Sequence, residues 1–414
     1  MKALRKLGCL ALAAAVTMVL PACDDNYRPV ANPIITPGGQ PQTEHYAWVV
    51  NYNPNGPGST TEIDVSGDTN LSVNSMGLGS IAEAFPLSSL ELFVANKGND
   101  TVSAYLPTLA GTITTISLLA GSRPVALVSA QNSAMYVLNS GPNSACPTSG
   151  SLSIIPTASL SVSNTICVGN NPTKMAQSPI NGYIFVLNQG DGTVSVVNPA
   201  GPTVSTVTGL DPNPSSVTAS ADGNWMFIAT QGDTSHPPVL DIVNAGAASV
   251  SATVPLGVLP TFGISDAILN RFYVANSGDN TVSVFDSSMV NVSASPAMPL
   301  LATVAVGTNP IGITPLADGS RFYVANSVSN DVTVVSSNSF QALTSVPLPP
   351  GANPVFITSD PTASKVYVAD QSISQTTIIQ TSNNTVSGSI AAPPQIATCT
   401  SSCALQQPVM IVTY

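Results

Sequence analysis

The chain has 414 residues, of which 43% are hydrophobic, and its charged residues are only 10 Lys or Arg and 21 Asp or Glu. This composition is too apolar for a disordered acidic protein, and it lacks the clustered Lys and Arg of a nucleic-acid-binding surface. Gly (30) and Pro (35) are frequent without a collagen period, so we expect them to separate many short elements.

The first 22 residues have the composition of an export signal. Lys2, Arg5 and Lys6 precede an apolar run at 7–20, which is too short to span a membrane. The run ends in Leu-Pro-Ala-Cys at 20–23, which resembles the bacterial lipoprotein signal. The resemblance implies diacylglycerol on the Cys23 thiol, cleavage before Cys23 and acylation of the new amino terminus, with palmitate among the chains. An ordinary secretory signal with an incidental cysteine is the alternative.

The lipoprotein resemblance implies three parts: a signal peptide at 1–22, a flexible Pro- and Gly-rich tether at 23–43, and a folded domain at 44–414. Two or three acyl chains suffice for stable anchoring. We therefore expect a protein held on a bacterial cell-envelope membrane by lipid, on the periplasmic or extracellular side. Without its signal the chain keeps seven Lys or Arg against 21 Asp or Glu, which disfavours nucleic-acid partners.

Four cysteines remain once Cys9 leaves with the signal and Cys23 carries lipid. These four are Cys146, Cys167, Cys399 and Cys403. An even number in an oxidising compartment predicts two disulfides. Three connectivities are open, and local pairing, Cys146 with Cys167 and Cys399 with Cys403, is our first choice. No C-x-x-C pair and no nearby His supports a metal site for these thiols, so we predict none.

A strand-like motif that ends in a polar residue recurs through the chain. The two clearest copies read Arg-Phe-Tyr-Val-Ala-Asn, at 271–276 and 321–326, and each is followed by a Val-rich segment, at 281–286 and 331–336. Aligned on the final polar position, eight copies end at residues 51, 96, 139, 188, 230, 276, 326 and 370. Most units also have a Pro-led segment before the motif, and a fourth β-branched segment follows the Val-rich one, with turn residues between them.

Four short strands in about 45 residues, repeated eight times, predict an all-β, eight-bladed β-propeller of four-stranded antiparallel blades. The first unit lacks its Pro-led strand, whereas the C-terminal segment 408–414 is a Pro-led strand with nothing after it. We therefore predict that the C-terminal strand pairs with the first blade and closes the ring. A degenerate first unit would leave seven blades, which is the alternative.

These motifs resemble the YVTN family of β-propeller repeats, whose consensus is Tyr-Val-Thr-Asn, then Thr-Val-Ser-Val-Ile-Asp, then Ile-x-Val-Gly-x-x-Pro. The best matches lie at 273–276, 193–197 and 304–310, and the resemblance covers residues 45–414. Ala or Leu replaces the Thr of the name in most copies. The family includes archaeal surface-layer proteins and many envelope lipoproteins, so the resemblance implies an architecture more than an activity.

The turns after the aromatic strands are the candidates for ligand binding, because propellers bind ligands on loops at the mouth of the central channel. The longest, at 140–150, contains Cys146 and is our first choice. The candidate binding residues in these turns are Ser140, Asn143, Asp191 and Asp279. Carboxylates spread one to a blade do not supply the six to eight converging oxygens that calcium needs, so we predict no metal here.

Two further recurring features have structural interpretations. The Asn that ends most aromatic strands is expected to hydrogen-bond the backbone of its own turn. Arg271, Arg321 and Lys365 occupy one position in three successive units, just before the aromatic strand, where we expect them to lie in solvent.

Residues for catalysis are scarce. The chain has two His, His45 and His236, and no Gly-x-Ser-x-Gly motif beside a His. We therefore predict a monomeric, non-catalytic platform without a cofactor that binds a protein or glycan partner. The alternative is a lactonase-like propeller hydrolase that uses Asp residues around the channel. Asp residues that converge at the channel mouth with raised pKa values would favour the hydrolase.

Overall fold

A computed structural model describes residues 46–84, 91–105, 112–129, 134–201, 203–395 and 404–413. These residues lie in the unit that spans His45–Tyr414. The predicted signal peptide, the tether, Cys23 and the Cys399–Cys403 pair fall outside the described residues. In the described ranges, no helix is long and apolar enough to cross a membrane.

The described chain forms eight four-stranded antiparallel sheets. Blade 1 contains β1 (Tyr46–Tyr52), β2 (Pro57–Asp64), β3 (Thr69–Leu78) and the C-terminal β32 (Gln407–Thr413). Blades 2 to 4 contain, in order from the innermost strand, β4 (Ser80–Ala84), β5 (Leu92–Asn96), β6 (Thr101–Tyr105) and β7 (Thr114–Ser117); β8 (Pro124–Ser129), β9 (Ala134–Asn139), β10 (Ser151–Pro156) and β11 (Asn164–Cys167); β12 (Pro172–Gln177), β13 (Ile184–Asn188), β14 (Thr193–Asn198) and β15 (Thr203–Thr206).

The remaining four blades follow the same order. They contain β16 (Pro214–Ala219), β17 (Trp225–Thr230), β18 (Val239–Asn244) and β19 (Val250–Pro255); β20 (Pro260–Asp266), β21 (Arg271–Asn276), β22 (Thr281–Asp286) and β23 (Leu300–Ala305); β24 (Pro310–Pro315), β25 (Arg321–Asn326), β26 (Asp331–Ser336) and β27 (Ala342–Pro347); β28 (Pro354–Ser359), β29 (Lys365–Asp370), β30 (Gln375–Gln380) and β31 (Thr385–Ala391). Two short 3₁₀ turns, Ser287–Met289 and Gln371–Ile373, interrupt this pattern.

The continuous apolar character of the second strand follows from its position. In β21, every residue after Arg271 is buried, because neighbouring blades cover both faces of the sheet. Phe272 packs toward blade 5 and Tyr273 toward blade 7. The outermost strand β27 is exposed at every position but one. Burial therefore decreases from the second strand to the rim, which explains why only the inner strands lack hydrophobic alternation.

The ring closes through the C-terminal strand, as predicted. β32 pairs antiparallel with β1, with Ile411 opposite Val49, so blade 1 contains both ends of the described chain. Ile411 is buried against residues of blade 8. The innermost strands contact one another in a closed circle that runs β32, β4, β8, β12, β16, β20, β24, β28 and back to β32. Eight blades are therefore confirmed, and the seven-bladed alternative is wrong.

The expected solvent exposure of Arg271, Arg321 and Lys365 is wrong. Each side chain reaches the turn between the third and fourth strands of the next blade. Their partners are Ser337 O for Arg271, Thr381 O (2.8 Å) and Asn384 Oδ1 (2.9 Å) for Arg321, and Val65 O with the Asp68 carboxylate for Lys365. The prediction failed because the partners are at least sixty residues away in sequence. The three cations join blades 6 to 7, 7 to 8 and 8 to 1.

Candidate functional site

The predicted binding turns lie at one end of the ring. In seven blades, the first paired residue of the innermost strand lies opposite the polar residue that ends the second strand, as Pro310 lies opposite Asn326. In blade 1 the equivalent pair, Pro408 and Asn51, is one residue further in. The turn after the second strand and the connection that enters from the preceding blade therefore meet at the same end. We call this end the connection face.

The buried Asn that ends the second strand joins this strand to the third strand through hydrogen bonds of its side-chain amide. We call this contact the Asn bracket. The Nδ2 of Asn276 donates to Thr281 Oγ1 and to Ser283 Oγ, both at 3.0 Å on the third strand. The same pattern occurs in blade 4, where Asn188 donates to Thr193 and Ser195. The expectation of a bond to the backbone of its own turn is therefore wrong for these copies. Instead, the Asn amide hydrogen-bonds to the Thr and Ser hydroxyl groups of the Thr-Val-Ser motif.

The Gly three residues before Pro belongs to the same contact. A Cβ added at Gly257 would lie 2.7 Å from Asn276 Nδ2, and one at Gly307 would lie 2.6 Å from Asn326 Nδ2. In blade 4, the Gly169 N–H donates to Asn188 Oδ1 at 3.1 Å. Only Gly allows the connection to pass this close over the buried amide. The three recurrent motifs of the sequence thus form one structural unit at the connection face.

The two candidate carboxylates hold this face together. Asp279 accepts from Val258 N at 3.0 Å and from Thr281 Oγ1 at 2.8 Å. Asp191 makes the equivalent bonds to the connection and the turn of blade 4. Each carboxylate therefore ties a turn to its own blade's connection. The two lie in blades 4 and 6, so the fold does not bring them together.

The loop at 140–150 is fixed by its own side chains. Asn143 is buried, and its Nδ2 donates to Ser122 Oγ (3.1 Å) and Ser151 Oγ (3.0 Å). Ser140 Oγ donates to Arg123 O at 3.0 Å. The Cys146–Cys167 disulfide, which local pairing predicts, joins the loop to the outermost strand β11. The hydrogen-bonding groups of Ser140 and Asn143 are thus engaged within the loop and its neighbours.

Sequence reasoning missed a lysine among the innermost strands. Lys174 lies on β12, and its Nζ donates to Ser215 O at 2.8 Å and to Thr261 O at 3.0 Å, on the innermost strands of blades 5 and 6. Burial lowers the pKa of the Lys174 ammonium group. The sequence feature that could have revealed it is a Lys at the third residue of the Pro-led strand, where the other innermost strands have apolar or small residues.

Two buried carboxyl groups were also missed. In blade 5, Asp241 occupies the position of Ser283 and is fully buried. Burial is the main cause that raises the pKa of Asp241 to about 7; a hydrogen bond from the Asp211 N–H opposes the rise, and the nearby Asp211 side chain adds to it. In blade 8, Asp370 replaces the recurrent Asn, and burial raises the pKa of its carboxyl to about 6 despite a hydrogen bond from Thr377. No group of three or more His, Cys, Asp or Glu in the described ranges is arranged to hold a metal ion.

Comparisons with known proteins show the fold. No protein-family model and no curated protein matches the chain. The dihydro-heme d1 dehydrogenase NirN, solved with DHE, is 12% identical, with a TM-score of 0.68 over 93% of this chain and 79% of NirN. Apo AztD from Citrobacter koseri is 13% identical, with a TM-score of 0.60 over 90% and 99%. A putative 6-phosphogluconolactonase from Bacteroides fragilis is 14% identical, with a TM-score of 0.56 over 91% and 100%. At these identities the likeness shows a shared β-propeller architecture.

Proposed function

We propose that the protein is a lipid-anchored component of the bacterial cell envelope whose β-propeller binds a protein or glycan partner on the connection face without catalysing a reaction. Cys23 carries the anchor, and the segment 23–43 holds the propeller away from the membrane surface. The propeller acts as a rigid, monomeric disc, and its YVTN-like repeats form the scaffold.

The engagement of the polar side chains on the connection face is the observation that carries this proposal. Asp191 and Asp279 both bond to backbone N–H groups of their own blades. Asn143 is occupied within its loop. Groups that are held in this way give the surface a fixed shape. The proposal therefore assigns them a role in presenting the surface.

Exposed apolar residues on the connection face are the expected contacts for a partner. Val258 lies on the connection into blade 6 and is 51% exposed. Val328 lies on the turn that follows the second strand of blade 7 and is 62% exposed. The opposite face offers a matched pair, because Ile268 and Ile180 lie on turns between first and second strands and are 60% and 59% exposed. Exposed apolar side chains that become buried contribute favourably to association.

The test is capture of membrane proteins and glycans by the full lipidated chain, with mass spectrometry. We expect a partner captured by the natural chain and by the Ile268→Asp, Ile180→Asp control. The Val258→Asp, Val328→Asp variant is expected to lose it. Equal capture by both variants, or loss in the control alone, would contradict binding on the connection face.

The anchor has its own test. Cells that express the precursor are supplied with radiolabelled palmitate, and we expect label in the natural chain and in Cys9→Ala, which alters the cysteine of the signal. Cys23→Ala should carry no label and should leave the membrane fraction. Label that persists in Cys23→Ala would refute the anchor without affecting the binding proposal.

A lactonase-like hydrolase is the second candidate, and the Asp211–Asp241 pair favours it because one carboxyl has a pKa raised to about 7. Its position counts against this role, since Asp241 lies on β18, the third strand from the channel. Hydrolysis of sugar lactones that is lost in Asp241→Asn would establish the hydrolase. If the natural chain and Asp241→Asn both leave the rate of lactone hydrolysis at its uncatalysed value, the result would favour the platform.

A further inference from the structure

Blade 5 differs from the other seven at positions that touch one another. The second strand ends in Thr230, whereas six blades end it in Asn or Asp and blade 1 has Asn51 one residue before the end. The connection carries Asp211, three residues before the first paired residue of the innermost strand, where six blades have Gly. Ile228 lies two residues before Thr230 on the second strand, and the residue opposite it on the third strand is Asp241. The seven equivalents are all hydroxyl residues: Thr61, Ser103, Ser153, Ser195, Ser283, Thr333 and Thr377.

These substitutions compensate for one another. Thr230 is smaller than Asn and turns its hydroxyl to Val239 O at 3.1 Å, so no amide lies beneath the connection. The space allows a side chain at 211, whereas Gly257 and Gly307 show that the Asn amide leaves no room for one in blades 6 and 7. The result is two acidic side chains, where most other blades have an amide and a hydroxyl.

Asp241 has too few donors to be favourable as a buried carboxylate. It is fully buried, and its Oδ2 accepts from Asp211 N at 3.0 Å. Within the described residues, Asp241 Oδ1 has no donor. A buried carboxylate with an unpaired oxygen is costly, and a neighbouring acidic residue adds to this cost, so the site favours the protonated acid.

Among the described residues, no other charged group on the elements packed around this pair is bonded to it. In the turn beyond β17, Asp233 and His236 pair with each other at 2.9 Å and are exposed. In the flanking blades, Asp191 and Asp279 bond to their own connections. Lys174 is bonded to carbonyl groups on the innermost strands. Asp211 is thus the charged neighbour that acts on Asp241.

The connection that carries Asp211 also holds the turn at 231–238. Gly232 N donates to Pro212 O at 3.1 Å, and Gln231 N donates to Asn213 O at 2.9 Å. Asn213 Nδ2 donates back to Gly232 O at 2.6 Å. Any displacement of the connection would therefore move a turn of the connection face.

We propose that the buried Asp241 carboxyl, which adjoins Asp211, holds a proton in the folded chain, and that loss of this proton loosens the connection and the 231–238 turn. With the proton, Asp241 is a neutral acid in its buried site. Without it, a carboxylate with one unpaired oxygen lies buried beside a second acidic residue, which disfavours the present position of the connection. Because the folded state binds the proton more tightly than the unfolded chain does, stability is greatest at low pH and is lost as the pH rises through about 7. Two side chains offer fewer oxygens than a calcium site needs, which favours a proton over a cation.

Hydrogen exchange measured by mass spectrometry between about pH 6 and pH 8, corrected for intrinsic rates, tests this proposal. In the natural chain, peptides covering 208–214 and 231–238 should lose roughly tenfold or more of their protection across this range, because one pKa unit corresponds to a factor of ten. The same peptides in Asp241→Asn should show no such loss. The connection into blade 6, which carries Gly257, is the internal control and should not change.

Asp211→Asn keeps the test decisive if Asp241→Asn fails to fold, because residue 211 is only partly buried. Its amide can donate to Asp241, so the loss of protection should disappear there too. The proposal is overturned if both variants keep the pH dependence of the natural chain, or if the natural chain has none. Restored protection at pH 8 on addition of calcium would also overturn it, since the pair would then be a cation site.

Discussion

Lys365 in blade 8 bonds to the carboxylate of Asp68 in blade 1, across 297 residues of sequence. The ammonium group also donates to Val65 O, and the Lys365 side chain is only 9% exposed. These contacts lie at the junction of the last and first blades, and β32 joins the same two parts of the ring through its pairing with β1. Closure therefore has a backbone component and a side-chain component.

The side-chain component predicts a measurable coupling energy. In a double-mutant cycle with Lys365→Ala and Asp68→Ala, urea unfolding should give a coupling of about 1 to 2 kcal/mol, because the pair is partly buried. The exposed pair of His236 and Asp233 is the matched control, and its coupling should be much smaller because solvent screens it. Equal couplings for the two pairs would show that the Lys365 contact does not contribute to closure.

The Asn bracket predicts a cost for removing one amide. Asn276→Ala should lower the free energy of unfolding by about 2 kcal/mol, because Thr281 and Ser283 lose a buried donor. Ser293→Ala, at an exposed position of the same blade, should change it by less than about 0.5 kcal/mol. Chemical denaturation of the three proteins is the measurement. A change for Asn276→Ala no larger than for Ser293→Ala would refute the bracket.

The connection glycines predict a steric effect. In Gly307→Ala the new Cβ would lie 2.5 Å from Asp331 Oδ1 and 2.6 Å from Asn326 Nδ2, so we expect a loss of about 1 to 3 kcal/mol. Gly388→Ala, on β31, meets no atom within 4 Å and should be neutral or slightly stabilising. Thermal unfolding distinguishes the two. Equal melting temperatures would mean that the connection does not need Gly.

Asp370 predicts a pH dependence in blade 8 that is separate from that of blade 5. Burial raises the pKa of this carboxyl to about 6 in the folded state, so the stability of the natural chain should fall as the pH rises from about 4 through 6. Asp370→Asn restores the repeat residue and should be more stable than the natural chain at pH 8, by about 2 kcal/mol. At pH 4 the two should be nearly equal. Urea midpoints across this range that run parallel for both proteins would contradict the assignment.

The sequence was sufficient for the ring because the information is local and repeated. The aromatic motif ending at residue 276 or 326 predicts a strand covered on both faces, and the Pro-led tail at 408–414 predicts closure. Both features follow from hydrophobic pattern and turn residues within one unit.

The contacts between units could not be predicted in the same way. Arg271 meets Ser337 only because blade 6 packs against the outer turn of blade 7. Asp211 and Asp241 meet only because a connection crosses the ends of the blade 5 strands. The first contact needs the packing of two blades and the second needs the path of a connection over its own blade, and no single motif encodes either. The substitution of Gly by Asp211 was visible in the sequence, but its partner was not.

The central claim is that one ring, closed by β32, holds the connection face in a single shape. The most direct test is the thermal unfolding of a chain that lacks residues 408–414. Removing the innermost strand of blade 1 exposes β1 and the cluster around Ile411, so we predict a melting temperature lower by roughly 10 °C or more. An unchanged melting temperature would contradict the closed ring.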